Sequence, residues 1–588
     1  MTARPAEAAF FWRYSKATFA PVYGRLDGGY SKDFLQSPAA QWPTIDKILG
    51  TPSTTNIPVE YRWPGGKRTG EWRKSAVEGD VRGQLAWVTA EGAPIPWKVG
   101  DTSVNPAATI PGDPTKTSAA SADAEFAALQ QKNLDPWVVA VKLWDEPNVL
   151  HTRAYLGNPP LGMEGRGTAA LPTQLRDAME ALPNSTAGGA VEFAKVRATE
   201  LVAKILSALE KEPNVLLIGP PGTGKTVALE DMRELFESGK LSVMFDPEEW
   251  DYSWKSTVLP PASARKALSL VFHPSYSYED FVAGLIPQST ITGFKLVARP
   301  GPFLSLAYWA NEPGRHALLA IDEFNRGPAA AIFGDTLALL DGGKRCDPVD
   351  PTSGALIERP FPAEPMEVSQ SFAKSDKSLK LPVEFRLPAR FSIVAALNST
   401  DRSVAPLDAA LRRRFIILQV PPDYQALATR LGVKLPRSAD HFSPASDDPV
   451  DWTDDDVRYL AFFILRTLNK RIAFVLGEDF LLGHALLWSV HGSSKDLLAK
   501  ALGQAFDGRI AATLRLTFVD QDEPLAAILK LGSPSASAAK PLTGAETWLA
   551  RWNSPLPELQ DVATPRLEIR EVAGLPPNDI LKSLRTLL

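Results

Sequence analysis

Residues 219–226 have the types and spacing of a loop that binds phosphate. They read Gly-Pro-Pro-Gly-Thr-Gly-Lys-Thr and fit the pattern G-x-x-x-x-G-K-[ST]. Glycines let the backbone curl so that successive N–H groups face phosphate oxygens, and a following helix N-terminus adds positive potential. In such a loop Lys225 would reach the β- and γ-phosphates, and the Thr226 hydroxyl would bind Mg²⁺. The pattern therefore predicts a nucleoside triphosphate site made of Gly219, Pro220, Pro221, Gly222, Thr223, Gly224, Lys225 and Thr226.

The flanks of this loop favour the same interpretation. The apolar run Val215–Ile218 predicts a strand that enters the loop, and Val227–Glu237 predicts a helix that leaves it. The alternative is a chance glycine-rich turn, which would need neither flank.

Two carboxylates follow a second apolar strand pattern. Ala317–Ile321 is a buried type of strand, and Asp322 and Glu323 come directly after it. At that position Asp322 can hold the Mg²⁺ shell while Glu323 activates water. Two acids after a strand are often only a solvated turn. Downstream of a phosphate-binding loop, however, they indicate a hydrolytic site.

Two further features carry polar groups suited to the same chemistry. The strand pattern Phe391–Ala396 leads to Asn398, whose amide can position the attacking water, although an ordinary turn asparagine is the alternative. Arg412–Arg414 is either a solvated face or a set of fingers that reach a neighbour's γ-phosphate. The second reading requires a ring or another oligomer.

The composition is that of a globular protein with several domains. At 588 residues, 44% hydrophobic and 22% charged, the chain is too long for one core and too apolar for wholesale disorder. Its apolar runs are far shorter than the ~20 residues of a spanning helix, and no signal peptide is visible. A single cysteine, Cys346, permits no internal disulfide, and a net charge of −5 argues against a uniformly basic surface. We therefore expect a cytoplasmic protein without membrane spans.

The residue composition and the hydrophobic periodicity change along the chain. Residues up to about 185 are rich in Trp, Pro and Gly with short strand patterns, and a helical period over Glu192–Leu209 then begins a region of alternating strands and helices. Such alternation predicts an α/β domain with a parallel sheet, and the residues after 450 read as mostly helical. Segments poor in core residues suggest linkers at 105–124, 436–449 and 532–541. We predict four domains: 1–185, 190–425, 426–530 and 531–588.

The order of the motifs resembles the AAA+ motor of the McrB family, the nucleotide-hydrolysing subunits of modification-dependent restriction systems. The resemblance covers roughly residues 190–490 and is carried, in order, by the phosphate-binding loop, HPSYSYEDFVAGLIP (273–287), IDEFNRG (321–327), IFGDTLALLD (332–341), LNSTDRS (397–403), LDAALRRRF (407–415), LNKRI (468–472) and FLLGHAL (480–486). Phe324, Leu397, Ser399 and Thr400 depart from the family's usual strings. The resemblance implies an α/β AAA+ P-loop NTPase domain with a helical lid, preceded here by a separate α+β or mainly-β N-terminal domain.

The resemblance also implies roles and partners. Asn398 and Asp401 would organise catalysis, and Arg413 and Arg414 would be fingers that act across subunits. The assembly would be a hexameric ring that hydrolyses GTP or ATP with Mg²⁺, is stimulated by a McrC-like nuclease, and contacts DNA through the N-terminal domain in an anti-phage restriction complex. Two alternatives stay open: a MoxR-like ATPase that remodels a protein partner, and a nucleotide-gated binding switch with little turnover.

One basic and aromatic segment stands out in the N-terminal region, Tyr61–Lys74. Its cations surround a Pro-Gly-Gly turn and interleave with Trp63 and Trp72. Exposed rings on such a hairpin would stack on bases while the cations bind phosphates. Strand alternation favours the other interpretation, in which the tryptophans pack inward and the cations face solvent. We likewise expect core positions for Trp12, Trp42, Trp87, Trp97, Trp137 and Trp144.

Overall fold

The computed structural model describes most of the chain. It leaves undescribed residues 1–2, 20–21, 23–32, 54, 78–79, 98–125, 160, 163, 184–186, 198, 250–252, 257–258, 260–261, 292, 348, 351, 369–378, 401–407, 435–440, 532–547, 554–557 and 559–563. The predicted linkers at 105–124 and 532–541 lie outside the described residues. The chain divides into two compact units, the first made of Met1–Ala203 and Asp231–Ala267, the second of Lys204–Glu230 and Leu268–Leu588.

The first unit is built on a ten-stranded, mostly antiparallel sheet. Eight of its strands come from the N-terminal region: β1 (Arg4–Arg13), β2 (Phe34–Ser37), β3 (Ile57–Trp63), β4 (Gly66–Val77), β5 (Asp80–Trp87), β6 (Pro136–Leu143), β7 (Val149–Leu156) and β8 (Gly188–Glu192). Two more, β10 (Val243–Asp246) and β11 (Ser253–Ser256), come from beyond the phosphate-binding loop. Helices of this unit span Lys16–Phe19, Trp42–Leu49 and Thr173–Glu180.

The sheet buries apolar side chains on both of its faces. Its order is β11-β10-β1-β6-β7-β3-β4-β5-β2, with β8 also paired to β1. Phe10 and Trp12 belong to one core cluster and Phe11 to another, because successive side chains of a strand point to opposite faces. The core positions predicted for tryptophans are confirmed for Trp12, Trp87, Trp97 and Trp137, whereas Trp42 and Trp144 are half-buried.

The second unit is organised around a five-stranded sheet with the order β12-β15-β20-β9-β21. These strands are β9 (Asn214–Gly219), β12 (Ala264–Val271), β15 (Arg315–Asp322), β20 (Phe391–Asn398) and β21 (Ile416–Gln419). The pairs β15–β20, β20–β9 and β9–β21 are parallel. Both β15 and β20 have continuous buried runs, as parallel strands covered on both faces do. The predicted α/β fold class is confirmed.

Short two-stranded sheets complete this unit. They are β13 (Ala283–Thr290) with β14 (Gly293–Pro300), β16 (Ile357–Glu358) with β19 (Glu384–Phe385), β17 (Glu367–Val368) with β18 (Leu379–Lys380), and β22 (Ala550–Asn553) with β23 (Arg566–Ile569). The remaining helices span Thr199–Leu209, Lys225–Ser238, Tyr278–Phe281, Pro302–Ala310, Ala329–Phe333, Ala409–Arg412, Tyr424–Leu431, Asp454–Val475, Lys495–Ala505, Ala512–Thr517, Asp522–Ile528 and Pro577–Arg585. None of the helices among the described residues is long and apolar enough to cross a membrane.

The helix expected over Glu192–Leu209 is shorter than predicted and begins at Thr199. Glu192 instead ends β8, and the next N–H, that of Phe193, donates to the Glu7 carbonyl at 2.9 Å. Phe193 is therefore held at the edge of the N-terminal sheet, although its spacing fits the helical period. Long-range strand pairing has overridden the local pattern here.

The compact units do not follow the predicted domain boundaries. Residues 231–267 fall with the N-terminal unit because β10 pairs with β1 in antiparallel register. At the other end, Leu549, Ile569 and Ile580 lie in the same core cluster as the long lid helix Asp454–Val475. The segment predicted as a separate extension from 531 thus contributes to the lid core. The four-domain division stays a prediction.

Candidate nucleotide-binding site

The strand order of the second sheet brings three predicted chemical groups to one edge. β9 ends at the phosphate-binding loop, β15 ends at Asp322, and β20, which lies between these two strands, ends at Asn398. The carboxyl ends of parallel strands form the usual ligand-binding edge of an α/β sheet. Asn398 is therefore placed between the loop and the acidic pair.

The phosphate-binding loop has the backbone that its glycines predict. Gly222 and Gly224 have φ of +77° and +87°, in the left-handed region that favours glycine. The helix Lys225–Ser238 begins within the loop motif, so its N-terminus faces the same space. This helix starts two residues earlier than the predicted Val227.

Lys225 is folded back against its own loop. Its Nζ donates to the carbonyl oxygens of Gly219 at 2.8 Å and Pro220 at 2.7 Å, and the residue is 6% exposed. Burial lowers the pKa of Lys225 to about 8, while the negative charges of Asp322 and Glu323 act in the opposite direction.

Thr226 and Asp322 form a pair of oxygen ligands suited to a hard divalent cation. The Thr226 hydroxyl donates to Asp322 Oδ2 at 2.7 Å, so both oxygens already converge on one point. Hydroxyl and carboxylate oxygens are ligands that Mg²⁺ prefers. Among the described residues no cluster of three or more His, Cys, Asp or Glu side chains suggests a different metal site.

Glu323 is held in a strained turn by several contacts. Its φ is +51°, and its N–H donates to Asp322 Oδ1 at 2.9 Å. Asn398 Nδ2 lies 3.3 and 3.2 Å from the two carboxylate oxygens of Glu323, and Arg326 Nε lies 3.0 Å from Oε2. The next residue, Phe324, is fully buried and stacks on Phe272. Strain of this kind persists where the surroundings fix it, and it clusters at functional sites.

The other predicted catalytic residues have three different outcomes. Asp401 lies outside the described residues. Arg413 is exposed at the C-terminal end of the helix Ala409–Arg412. The Arg414 side chain is only 6% exposed, with Nη1 donating to the Ala410 carbonyl at 2.6 Å and Nε 3.0 Å from Asp341 Oδ1. The structure thus separates two arginines that the sequence treats alike.

The lid adds residues to which sequence reasoning gave no role. The Ala485 N–H donates to the Gly222 carbonyl of the phosphate-binding loop at 3.1 Å, and the Ser399 hydroxyl donates to the Asp479 carbonyl at 2.7 Å. Ala485 belongs to the FLLGHAL string, and the nearby LNKRI string supplies Asn469. The only sequence signal for Ala485 and Asn469 was their presence in those two weak motifs.

The N-terminal hairpin has the arrangement in which its tryptophans pack inward. β3 and β4 pair around a tight turn, and Trp63 and Trp72 are 8% and 0% exposed. Four of the five cations of the hairpin contact acids: Arg62 with Glu60 and Glu146, Lys67 with Glu60, Arg73 with Asp33 and Glu71, and Lys74 with Asp46. The fifth cation, Arg68, lies over the Trp63 ring at 5.8 Å. No exposed ring of this hairpin is available for base stacking.

Glu146 is the centre of a charged cluster in the same unit. His151 Nε2 lies 2.6 Å from Glu146 Oε2, and Arg4 Nη2 lies 2.8 Å from Oε1. Burial alone would raise the pKa of Glu146, but hydrogen bonds from His151 and Arg4 hold it at about 2.

A parallel α/β sheet that carries this loop, this acidic pair and a helical lid defines a P-loop NTPase of the AAA+ class. No protein-family model matches the chain. The chain is 25% identical over 285 residues to the type IV methyl-directed restriction enzyme EcoKMcrB subunit of Escherichia coli K12, a match that covers 48% of this chain and 49% of that protein. It is 29% identical over 210 residues to the type II restriction enzyme BsuMI component YdiS of Bacillus subtilis 168, covering 34% of this chain and 55% of that protein.

These matches support the McrB-like AAA+ family for this chain, and the resemblance read from its motifs is confirmed. The chain spans about half the length of the curated relatives that it matches. Among solved structures it is similar to C. elegans PCH-2, with 14% identity, coverage of 53% of this chain and 68% of that one, and a TM-score of 0.23. A putative ATPase from Cytophaga hutchinsonii has 13% identity, coverage of 67% and 91%, and a TM-score of 0.22. TM-scores this low add nothing to the fold assignment.

Proposed function

We propose that this chain binds and hydrolyses a nucleoside triphosphate with Mg²⁺, as the motor of a restriction complex. The observation that carries the proposal is the meeting of Thr226 with Asp322, and of Asn398 with Glu323, at the edge where the phosphate-binding loop begins. The members of each pair lie at least 75 residues apart in the sequence, so the fold has brought together groups that have no local reason to meet.

Each of these residues has a distinct task in the proposal. Backbone N–H groups of the loop and Lys225 bind the phosphates. Glu323 accepts a proton from the attacking water, and Asn398 orients the Glu323 carboxylate through its amide. Thr226 and Asp322 would hold Mg²⁺, which supplies charge neutralisation on the phosphate oxygens. Asp401 keeps the role that the family resemblance implies.

Glu323 also contacts Arg326, which gives the chain a means of restraining its base. Arg326 Nε lies 3.0 Å from the Glu323 carboxylate, and its side chain is half exposed. The ion pair and the Asn398 amide together hold the Glu323 carboxylate in one orientation, so Arg326 acts as a positioning residue in the proposal.

The variants that test hydrolysis separate binding from turnover. Lys225→Ala should lose nucleotide binding, whereas Glu323→Gln should bind as the wild type does and fail to release phosphate. Titration of fluorescent nucleotides and a phosphate-release assay measure the two properties. Parallel assays with GTP and ATP determine which nucleotide is the substrate. Wild-type turnover in Glu323→Gln would remove Glu323 from its role.

We further propose a ring, by family resemblance a hexamer, in which Arg413 reaches the nucleotide of the next subunit. Its exposure at the end of a helix supports this assignment, and the contact of the Arg414 side chain with Asp341 supports a role for Arg414 within its own subunit. Analytical ultracentrifugation with and without nucleotide tests assembly. A protein that hydrolyses nucleotide as a monomer contradicts the proposal.

The partners proposed for this motor come from the resemblance of its motifs to the McrB family, which implies a McrC-like nuclease as the partner subunit and DNA as the target. The names of both relatives, which are parts of restriction enzymes, agree with this proposal. Co-expression with a nuclease encoded beside this chain, followed by cleavage of methylated and unmodified DNA, tests both. The pairing of the hairpin cations with acids favours a second candidate for the N-terminal unit, an adaptor that binds protein. Capture of a partner protein without any DNA binding would establish that candidate.

A further inference from the structure

A loop of the lid, Leu481–Ala485, lies directly against the phosphate-binding loop. Besides the hydrogen bond from the Ala485 N–H to the Gly222 carbonyl, a Cβ placed on Gly222 would lie 3.5 Å from the Ala485 Cβ. A Cβ placed on Gly483 would lie only 2.2 Å from the Pro221 carbonyl oxygen. Glycine at 483 is therefore what allows the two backbones to approach.

A buried asparagine of the lid holds this loop in position. Asn469 is 2% exposed; its Nδ2 donates to the Leu482 carbonyl at 2.9 Å, and its Oδ1 accepts from the Leu482 N–H at 2.7 Å. One residue beyond Gly483, His484 Nδ1 accepts from the Asp423 N–H at 3.0 Å. The loop is thus fixed on both sides of Gly483.

The contact with Gly222 sets the orientation of one peptide unit in the phosphate-binding loop. The Gly222 carbonyl and the Thr223 N–H belong to the same planar trans peptide and point in opposite directions. Holding the carbonyl towards the lid turns the Thr223 N–H away from the lid. In a loop that binds phosphate through backbone N–H groups, the orientation of one donor is then fixed before the ligand arrives.

We propose that the lid loop Leu481–Ala485 preorganises the Gly222–Thr223 peptide for phosphate binding, with Asn469 and Gly483 as positioning residues. This inference rests on the proposed function, because it takes the loop to bind a triphosphate. Neither positioning residue touches the ligand. Both act through the backbone of the lid loop, so their loss weakens phosphate binding without removing a ligand contact.

Gly483→Ala in the full chain is the sharpest test. Gly483 has φ −66° and ψ 146°, which alanine adopts without strain, so the substitution acts through the approach to Pro221. We expect the Kd for a fluorescent triphosphate, and for inorganic triphosphate as competitor, to rise about 10-fold, the loss of one good hydrogen bond. Gly508→Ala is the matched control, because a Cβ there meets nothing within 4 Å.

A second pair of variants separates positioning from stability. Asn469→Ala removes both hydrogen bonds to Leu482 and should raise the same Kd values, whereas Tyr424→Phe removes only a hydroxyl that accepts from Asn469 Nδ2 at 3.1 Å and should not. Thermal unfolding verifies that each variant is folded. Unchanged Kd values in folded Gly483→Ala and Asn469→Ala overturn the inference. A wild-type protein that binds no nucleotide overturns the proposed function instead.

The wild-type protein provides a test that needs no substitution. If the lid contact favours phosphate binding, phosphate must favour the lid contact by the same free energy. Saturating inorganic triphosphate should therefore slow hydrogen exchange at the Ala485 amide, while the amides of the helix Trp42–Leu49, which belongs to the first compact unit, stay unchanged. Equal exchange at Ala485 with and without triphosphate contradicts the inference.

Discussion

Arg413 and Arg414 are neighbours in the sequence with opposite surroundings in the fold. The Arg414 side chain is 6% exposed, and its Nε approaches Asp341 as an ion pair without hydrogen-bond geometry. Its Nη1 donates to the Ala410 carbonyl. Arg413 is exposed, and the described part of the chain shows no ion pair or side-chain hydrogen bond for it. We therefore predict that their alanine variants fail in different assays.

The expected magnitudes differ because the lost contacts differ. Arg414→Ala removes a charge-assisted hydrogen bond to the Ala410 carbonyl and an ion pair to Asp341. The Asp341 side chain is one-third exposed, so solvent screening weakens the ion pair. The loss in unfolding free energy should be about 2–3 kcal/mol. Arg413→Ala should change stability by less than about 0.5 kcal/mol, the usual range for a surface substitution. It should slow hydrolysis about 10³-fold, which corresponds to ~4 kcal/mol of barrier.

Chemical denaturation and phosphate release, measured on the same preparations, test the pair of variants. Arg413→Lys is the matched control, because it keeps the charge and loses the forked geometry, so its activity should be intermediate. Mixing Arg413→Ala with Glu323→Gln should recover some hydrolysis, since some interfaces then combine an intact Glu323 with an intact Arg413. A stable but inactive Arg414→Ala together with a fully active Arg413→Ala would contradict both assignments.

Three further predictions concern the N-terminal unit. Glu146→Gln should lower the unfolding free energy by at most about 3 kcal/mol near pH 7. The pKa of Glu146 in the folded protein is depressed to about 2. The difference in unfolding free energy between wild type and variant, measured by denaturation at several pH values, should therefore fall as the pH drops below about 4.5. The double variant Lys67→Glu, Arg68→Glu should change the Kd for oligonucleotides less than about 2-fold and leave its salt dependence unchanged. Clearly weaker binding with a flatter salt dependence would instead indicate that the hairpin contacts phosphates. A chain that begins at Ala190 lacks β1, which pairs with β10, so its soluble yield should fall well below that of the full chain. A stable, active truncation would show that β10 does not need β1.

The parts of the site that depend on short stretches of chain were predictable. The loop at Gly219–Thr226 is encoded by its own glycines and by the strand and helix patterns on either side. The acids at Asp322 and Glu323 follow directly from a buried run, and Asn398 from another. In each case a strand ends where its apolar run ends, so the sequence places the polar group at the sheet edge.

The parts that depend on distant partners were not predictable from local patterns. Nothing near Val243–Asp246 indicates that this strand pairs with β1, about 240 residues earlier in the chain, and the pairing requires the folded unit. Arg414 offers a similar case, because its inward direction depends on Asp341. The approach of Gly483 to the phosphate-binding loop requires the folded lid. A local sequence pattern specifies the residue types, whereas tertiary packing determines the direction of each side chain.

Strand order explains why the site needs three separate segments of sequence. Along the chain the phosphate-binding loop comes first, the acidic pair second and Asn398 third, yet in the sheet the strand of Asn398 lies between the other two. Its amide can therefore contact Glu323 on one side while the next residue, Ser399, donates its N–H to the Gly219 carbonyl at 3.0 Å on the other. A shift of β20 would disturb the proposed general base, Glu323, and the phosphate-binding loop together. In the proposed function this single strand end would couple hydrolysis to phosphate binding, and substitutions there should impair both.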